Sequence, residues 1–94
     1  LILRGVRSTN GFATAVDDDA IEAARVEMAD LEGILLCPEG AATYAAYQKE
    51  LASGRLSAEE SVVLFNCATG LKYDMPPVTA ALDRHKPVDY AAMM

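Results

Sequence analysis

Four consecutive apolar residues, Ile34 to Cys37, run without a break into Pro38. A continuous apolar run of that length is the pattern of a strand buried on both faces, with no side left for water. Proline directly after it is favoured at the first position of a helix, where its missing N–H would lack a partner in any case. A buried strand passing straight into a helix constrains the chain towards a sheet with helices packed against it.

The alternation recurs on either side. Leu1 to Arg7 reads as the end of a helix, with Arg4 and Arg7 near its C-terminus and Asn10-Gly11 as the stop. A helix with an end and no beginning implies part of a longer protein. Phe12 to Val16 reads as a short strand. Asp17-Asp18-Asp19 supplies a helix cap and Glu22 extends the negative charge of the first turn, where free amides and the helix dipole favour carboxylates. Ile21, Ala24, Met28 and Leu31 then recur at helical spacing, and Gly33 ends that helix. The next helix spans Glu39 to about Ala52. Its face of Ala41, Ala42, Ala45 and Ala46 can sit close to a neighbour, while Tyr44, Tyr47 and Leu51 fill wider gaps and Gly54 stops it.

Ser57-Ala58-Glu59-Glu60 has the form of a capping box. Val62 to Asn66 is the strongest strand signal of the chain. Small and polar residues break it between Asn66 and Gly70, and Pro76-Pro77 ends the segment from Gly70 to Asp74. Val78 to about His85 is expected to form a final helix, ended by Pro87; Asp89 to Met94 is a tail or a short last helix. Strands alternating with helices predict a three-layer αβα fold with a mainly parallel sheet. Ligands of such sheets bind at the carboxyl ends of the strands. Two loops take that place, Cys37-Pro38-Glu39-Gly40 and Asn66-Cys67-Ala68-Thr69-Gly70.

Composition narrows the function. The 94 residues carry a formal charge of −6, and no cluster of Lys and Arg offers a face for phosphates, which argues against nucleic-acid binding. No run approaches the ~18–20 apolar residues of a membrane span, and Leu1-Ile2-Leu3 lacks the basic leader of a signal peptide. Cys37 and Cys67 make neither a disulfide framework nor a metal pair, so two reduced thiols and a cytoplasmic location are expected, with no metal. His85, between Arg84 and Lys86, reads as solvated, as does Lys49. Asp17 to Asp19 reads as a cap and not a cation site, and the tyrosines as core or rim.

The two loops, in order and about thirty residues apart, carry a resemblance. Glu32 to Thr43, with Cys37-Pro38-Glu39-Gly40-Ala41-Ala42-Thr43 at its end, resembles a segment of bacterial threonine synthases. Val62 to Tyr73, with Gly70-Leu71-Lys72-Tyr73 at its end, is similar to the segment that comes next there, and Gly11 to Asp18 is similar to the same family. The match covers most of residues 11–75. It implies that residues 1–94 are the C-terminal part of the catalytic domain of a fold type II pyridoxal 5'-phosphate enzyme. The expected reaction is O-phospho-L-homoserine plus water giving L-threonine plus phosphate, with the rest of the same polypeptide supplying the Schiff-base lysine and the phosphate loop. These 94 residues alone are therefore expected to be inactive. Related enzymes such as threonine dehydratase or cysteate synthase, and a small α/β module that binds without catalysing, are the alternatives.

The resemblance also implies site residues. In this fold type a Ser or Thr hydroxyl hydrogen-bonds the pyridine nitrogen, and aligned on Gly70-Leu71-Lys72 that position is Cys67, a departure from the family pattern. A thiol is a weaker donor than a hydroxyl and does not demand a pyridinium. Thr69 is the second candidate for the contact. Glu39, at a helix N-terminus near the expected cofactor face, is the third cofactor-side residue, although a first-turn carboxylate is also explained by the helix dipole alone. Lys72 does not hold the Schiff-base position.

Overall fold

The computed structural model describes all residues except 76, 78–80 and 94. Three helices lie in the first half of the chain: α1 (Ile2–Ser8), α2 (Asp18–Glu32) and α3 (Pro38–Ser53). Their ends are where the local chemistry puts them. Asp17 caps α2 by accepting from the Ala20 amide at 2.8 Å, which satisfies one of the amides a helix start leaves open. Gly33 closes α2 with φ of 67°, and Gly54 closes α3 with φ of 80°; this left-handed geometry is costly for any residue with a Cβ. Pro38 stands at the first position of α3 and Cys37 is its cap.

α2 and α3 pack against each other. Their contact is built on Ala24, Ala41 and Ala45, with Leu36 filling the space beside them and Val16, Ala20, Ile21, Met28 and Tyr44 at its margin. Small residues let the helices approach closely, and burial of Leu36 contributes about 1.5–3 kcal/mol. Leu31, predicted on the buried stripe of α2, is instead 68% exposed. The core is thin: the radius of gyration is 17.1 Å, against about 12 Å for a compact chain of this length.

The expected mainly parallel αβα sheet is not what forms. Among the described residues no strand ladder is present. The isolated bridge found among the described residues joins Leu36 to Thr69, in the loop after the last predicted strand, and is antiparallel, the opposite sense from the prediction. An extended segment becomes a strand only where a neighbour takes its backbone donors and acceptors, and no described segment pairs with the predicted strands in a ladder. Along Phe12 to Val16, the Lys49 ammonium donates to Ala15 O at 2.6 Å, the Thr14 hydroxyl donates to Glu50 Oε1 at 2.7 Å, and Arg55 lies 4.6 Å above the Phe12 ring. That segment is strapped to α3 by side chains. Val62 to Phe65 belongs to no regular element, with Val63 94% and Phe65 75% exposed.

Ser57 to Glu60 makes one half of the capping box, the Ser57 amide donating to Glu60 Oε2 at 3.1 Å, but the Ser57 hydroxyl accepts from the Glu59 amide at 3.2 Å and the segment closes as a turn and not a helix. The predicted final helix falls partly on residues 78–80, outside the described residues. Its described remainder is not helical: Asp83 to Lys86 forms a turn, closed by the Lys86 amide on Asp83 O at 3.1 Å. Asp89 then caps a single 3-10 turn, Ala91–Met93.

Candidate cofactor-side corner

The corner between Leu36 and α3 begins with a fully buried thiol. As cap of α3, Cys37 Sγ accepts from the Gly40 amide at 3.3 Å and donates to Asn66 Oδ1 at 3.3 Å. One side chain thus closes the helix start and anchors the beginning of the 66–73 loop. The packing is so close that a Cβ on Gly40 would overlap the Asn66 side chain, and a Cβ on Gly70 would stand 2.6 Å from Leu36 O. At Gly70 the obstacle is backbone, so glycine is needed there for the approach itself.

The loop is held along its length. The Gly70 amide donates to Leu35 O at 2.9 Å, beside the Leu36–Thr69 bridge. Thr69 caps a 3-10 turn, Gly70–Lys72, by accepting from the Leu71 amide at 3.3 Å. The Tyr73 hydroxyl donates to Glu39 Oε1 at 3.2 Å, which returns the end of the loop to the first turn of α3.

Electrostatics follow from this seating. The Glu39 carboxyl is held below its ordinary range, chiefly by its own backbone amide at the helix start; desolvation opposes this, and the Tyr73 hydroxyl and Cys37 thiol assist it. The Tyr73 hydroxyl is pushed up, first by its bond to Glu39, then by desolvation, with the Glu39 charge and both thiols, Cys37 and Cys67, adding to it. Of the sequence-predicted residues, Glu39 is in contact with Tyr73, and Cys67 lies on the loop that Tyr73 ends. The third, Thr69, lies two residues along the same loop. All three are exposed.

Three residues of the corner carry no distinct signal in the sequence. Tyr73 reads there as core or rim and Asn66 as a strand break, although Tyr73 directly follows the Gly-Leu-Lys motif. Arg25 has no mark beyond its place on α2, yet it is 5% exposed and donates into the corner from behind. His85 stands apart, accepting at Nε2 from Arg84 at 3.1 Å. No helix among the described residues is long and apolar enough to cross a membrane.

Residues 1–68 match the family described as pyridoxal-phosphate dependent enzyme, and the chain belongs to it. The cofactor this membership indicates is pyridoxal phosphate. Among individual relatives, the chain is similar to a threonine synthase of Methanocaldococcus jannaschii, with 34% identity over 70 residues, 74% of this chain. It spans 17% of that relative's length. No solved structure matches.

Proposed function

We propose that this chain is the C-terminal part of the catalytic domain of a cytoplasmic lyase of threonine synthase type, which converts O-phospho-L-homoserine and water to L-threonine and phosphate. The observation that carries this reading is the seating of the Asn66–Tyr73 loop on the Cys37–Glu39 corner, which gathers Cys67, Thr69 and Glu39. Family membership and the likeness to a threonine synthase support it.

The donor set suits a pyridine ring. Cys67 has an exposed thiol, and the Thr69 oxygen accepts from the Leu71 amide while its hydroxyl also carries a proton to donate. When bound, the cofactor supplies an electron sink for carbanion chemistry at the substrate. In this reading Cys67 donates to the ring nitrogen, and Thr69 takes that contact if the loop is reset. As a weak donor, the thiol would not demand a protonated ring. Glu39 and Tyr73 fix the loop that carries both. The lysine and the phosphate-binding loop belong to the rest of the polypeptide, so the 94 residues do not catalyse alone.

The test is an assay of the full-length protein, purified with pyridoxal phosphate, for phosphate release from O-phospho-L-homoserine. Stoichiometric phosphate and threonine establish the reading. Bound cofactor without release overturns the substrate and moves the assignment to a dehydratase or another replacement enzyme; no cofactor binding overturns the enzyme reading itself.

A further inference from the structure

We propose that Arg25 is a positioning residue for the Asn66–Asp74 loop and, through it, for the cofactor-side groups; the inference rests on the function proposed above.

Arg25 lies on α2, on a different element from every candidate site residue, and is 5% exposed. A charge buried that deeply is retained only where it is paired and its hydrogens are used. Here they are used in three directions. Nη1 donates to both oxygens of Glu22, at 3.0 and 3.2 Å, which balances the charge within α2. Nη2 donates to Asp74 O at 2.9 Å, and Nε reaches Leu36 O at 3.4 Å. The two carbonyls belong to the two segments that form the corner. Leu36 precedes Cys37, which holds Asn66 at the loop's start; Asp74 follows Tyr73, which holds Glu39 at its end. One guanidinium thus ties the far end of the loop to the segment on which its near end is seated. The rigid planar fork makes this possible, and lysine, a single point charge, cannot span the same partners.

The burial of Cys37 provides a readout independent of activity. Cys67 is exposed and Cys37 is buried under Asn66, so only Cys67 should alkylate quickly while the loop is seated. In the full-length protein, Arg25→Lys and Arg25→Gln are compared with wild type, each kept only if its circular dichroism is native; two variants are made so that one can decide if the other fails to fold. Alkylation of the Cys37 and Cys67 peptides is followed by mass spectrometry, and pyridoxal phosphate affinity is measured by titration of the apoprotein. We expect Cys37 to alkylate about tenfold faster and cofactor affinity to fall by a similar factor, as for the loss of one hydrogen bond to a charged group. The inference is overturned by an exposed Cys37 with unchanged affinity, by weaker binding with Cys37 still protected, or by no change in either. A wild-type protein that binds no pyridoxal phosphate overturns the functional reading instead, and is seen before any variant is compared.

Discussion

The Tyr73 hydroxyl donates to Glu39 Oε1 across 3.2 Å, joining residues thirty-four positions apart in the chain. Each shifts the other: Glu39 is held below its ordinary range and Tyr73 is pushed above its own. The signs fix a pH window. A lowered carboxyl contributes stability that is present above its unfolded value and is lost as pH falls through the folded one. A raised phenol contributes stability that is complete below its unfolded value and is lost as pH rises through the folded one. The pair therefore supports the corner between the carboxylate and tyrosine ranges and fails outside both. Tyr73→Phe is expected to raise the Glu39 carboxyl towards its ordinary value, read by NMR titration of that carboxyl. An unmoved titration would remove Tyr73 as a cause.

A second carboxylate gives a separate acid-side prediction. Glu50, on α3, accepts from Thr14 at 2.7 Å and pairs with Arg55 at 3.3 Å. Its carboxyl is lowered chiefly by the Thr14 hydroxyl, with Arg55, Ser53 and Lys49 assisting against desolvation. Stability from this cluster should be lost as pH falls through the lowered value. Thr14→Val should lower the melting temperature at neutral pH and flatten its acid dependence. An unchanged acid limb would show that Thr14 does not hold the segment before α2.

The two close-approach glycines should differ in cost. At Gly70 a Cβ meets backbone, Leu36 O at 2.6 Å and Leu35 C at 3.2 Å. Backbone cannot step aside, so Gly70→Ala should destabilise by about 1–3 kcal/mol. At Gly40 the obstacle is the Asn66 side chain, which can rotate away at the expense of its bond to Cys37. Gly40→Ala should therefore cost less, and Asn66→Ala should recover part of that cost in a double-mutant cycle. Chemical denaturation of the four variants checks both statements. Equal costs at the two glycines would mean that the approach is looser than it stands.

Much of the helical part of this arrangement is legible in the sequence because its signals are local. Asp17, Gly33, Pro38 and Gly54 act within one turn of where they stand, and each marks the helix end its chemistry predicts. The site loops are legible for the same reason: small residues after apolar runs allow close approach, and Gly40 and Gly70 make it. The sheet is a different matter, because a strand is defined by its neighbour. Nothing in Phe12 to Val16 announces that Lys49, Glu50 and Arg55 will take it up. Nor does Val62 to Phe65 record whether a partner lies beside it. Arg25 and Tyr73 escape notice on similar grounds, since their importance comes from carbonyls and carboxylates distant in sequence.

Cys67 provides the sharpest test of the cofactor-side assignment. Its thiol is exposed on a loop whose two ends are fixed, and a thiol donates more weakly than a hydroxyl. In the full-length enzyme, Cys67→Ser exchanges one donor for a stronger one in the same place, so activity should remain largely intact. Cys67→Ala removes the donor, and activity should fall unless Thr69 takes the contact. The double variant Cys67→Ala with Thr69→Val closes that route and should be lower than either single change. The measurement is steady-state turnover together with the absorption spectrum of the bound cofactor. If Cys67→Ser abolishes turnover while the protein remains folded and loaded, the placement of Cys67 at the ring nitrogen is wrong. If Thr69→Val alone does the damage, the contact belongs to Thr69, and the loop is seated two residues further along than the Gly-Leu-Lys alignment sets it.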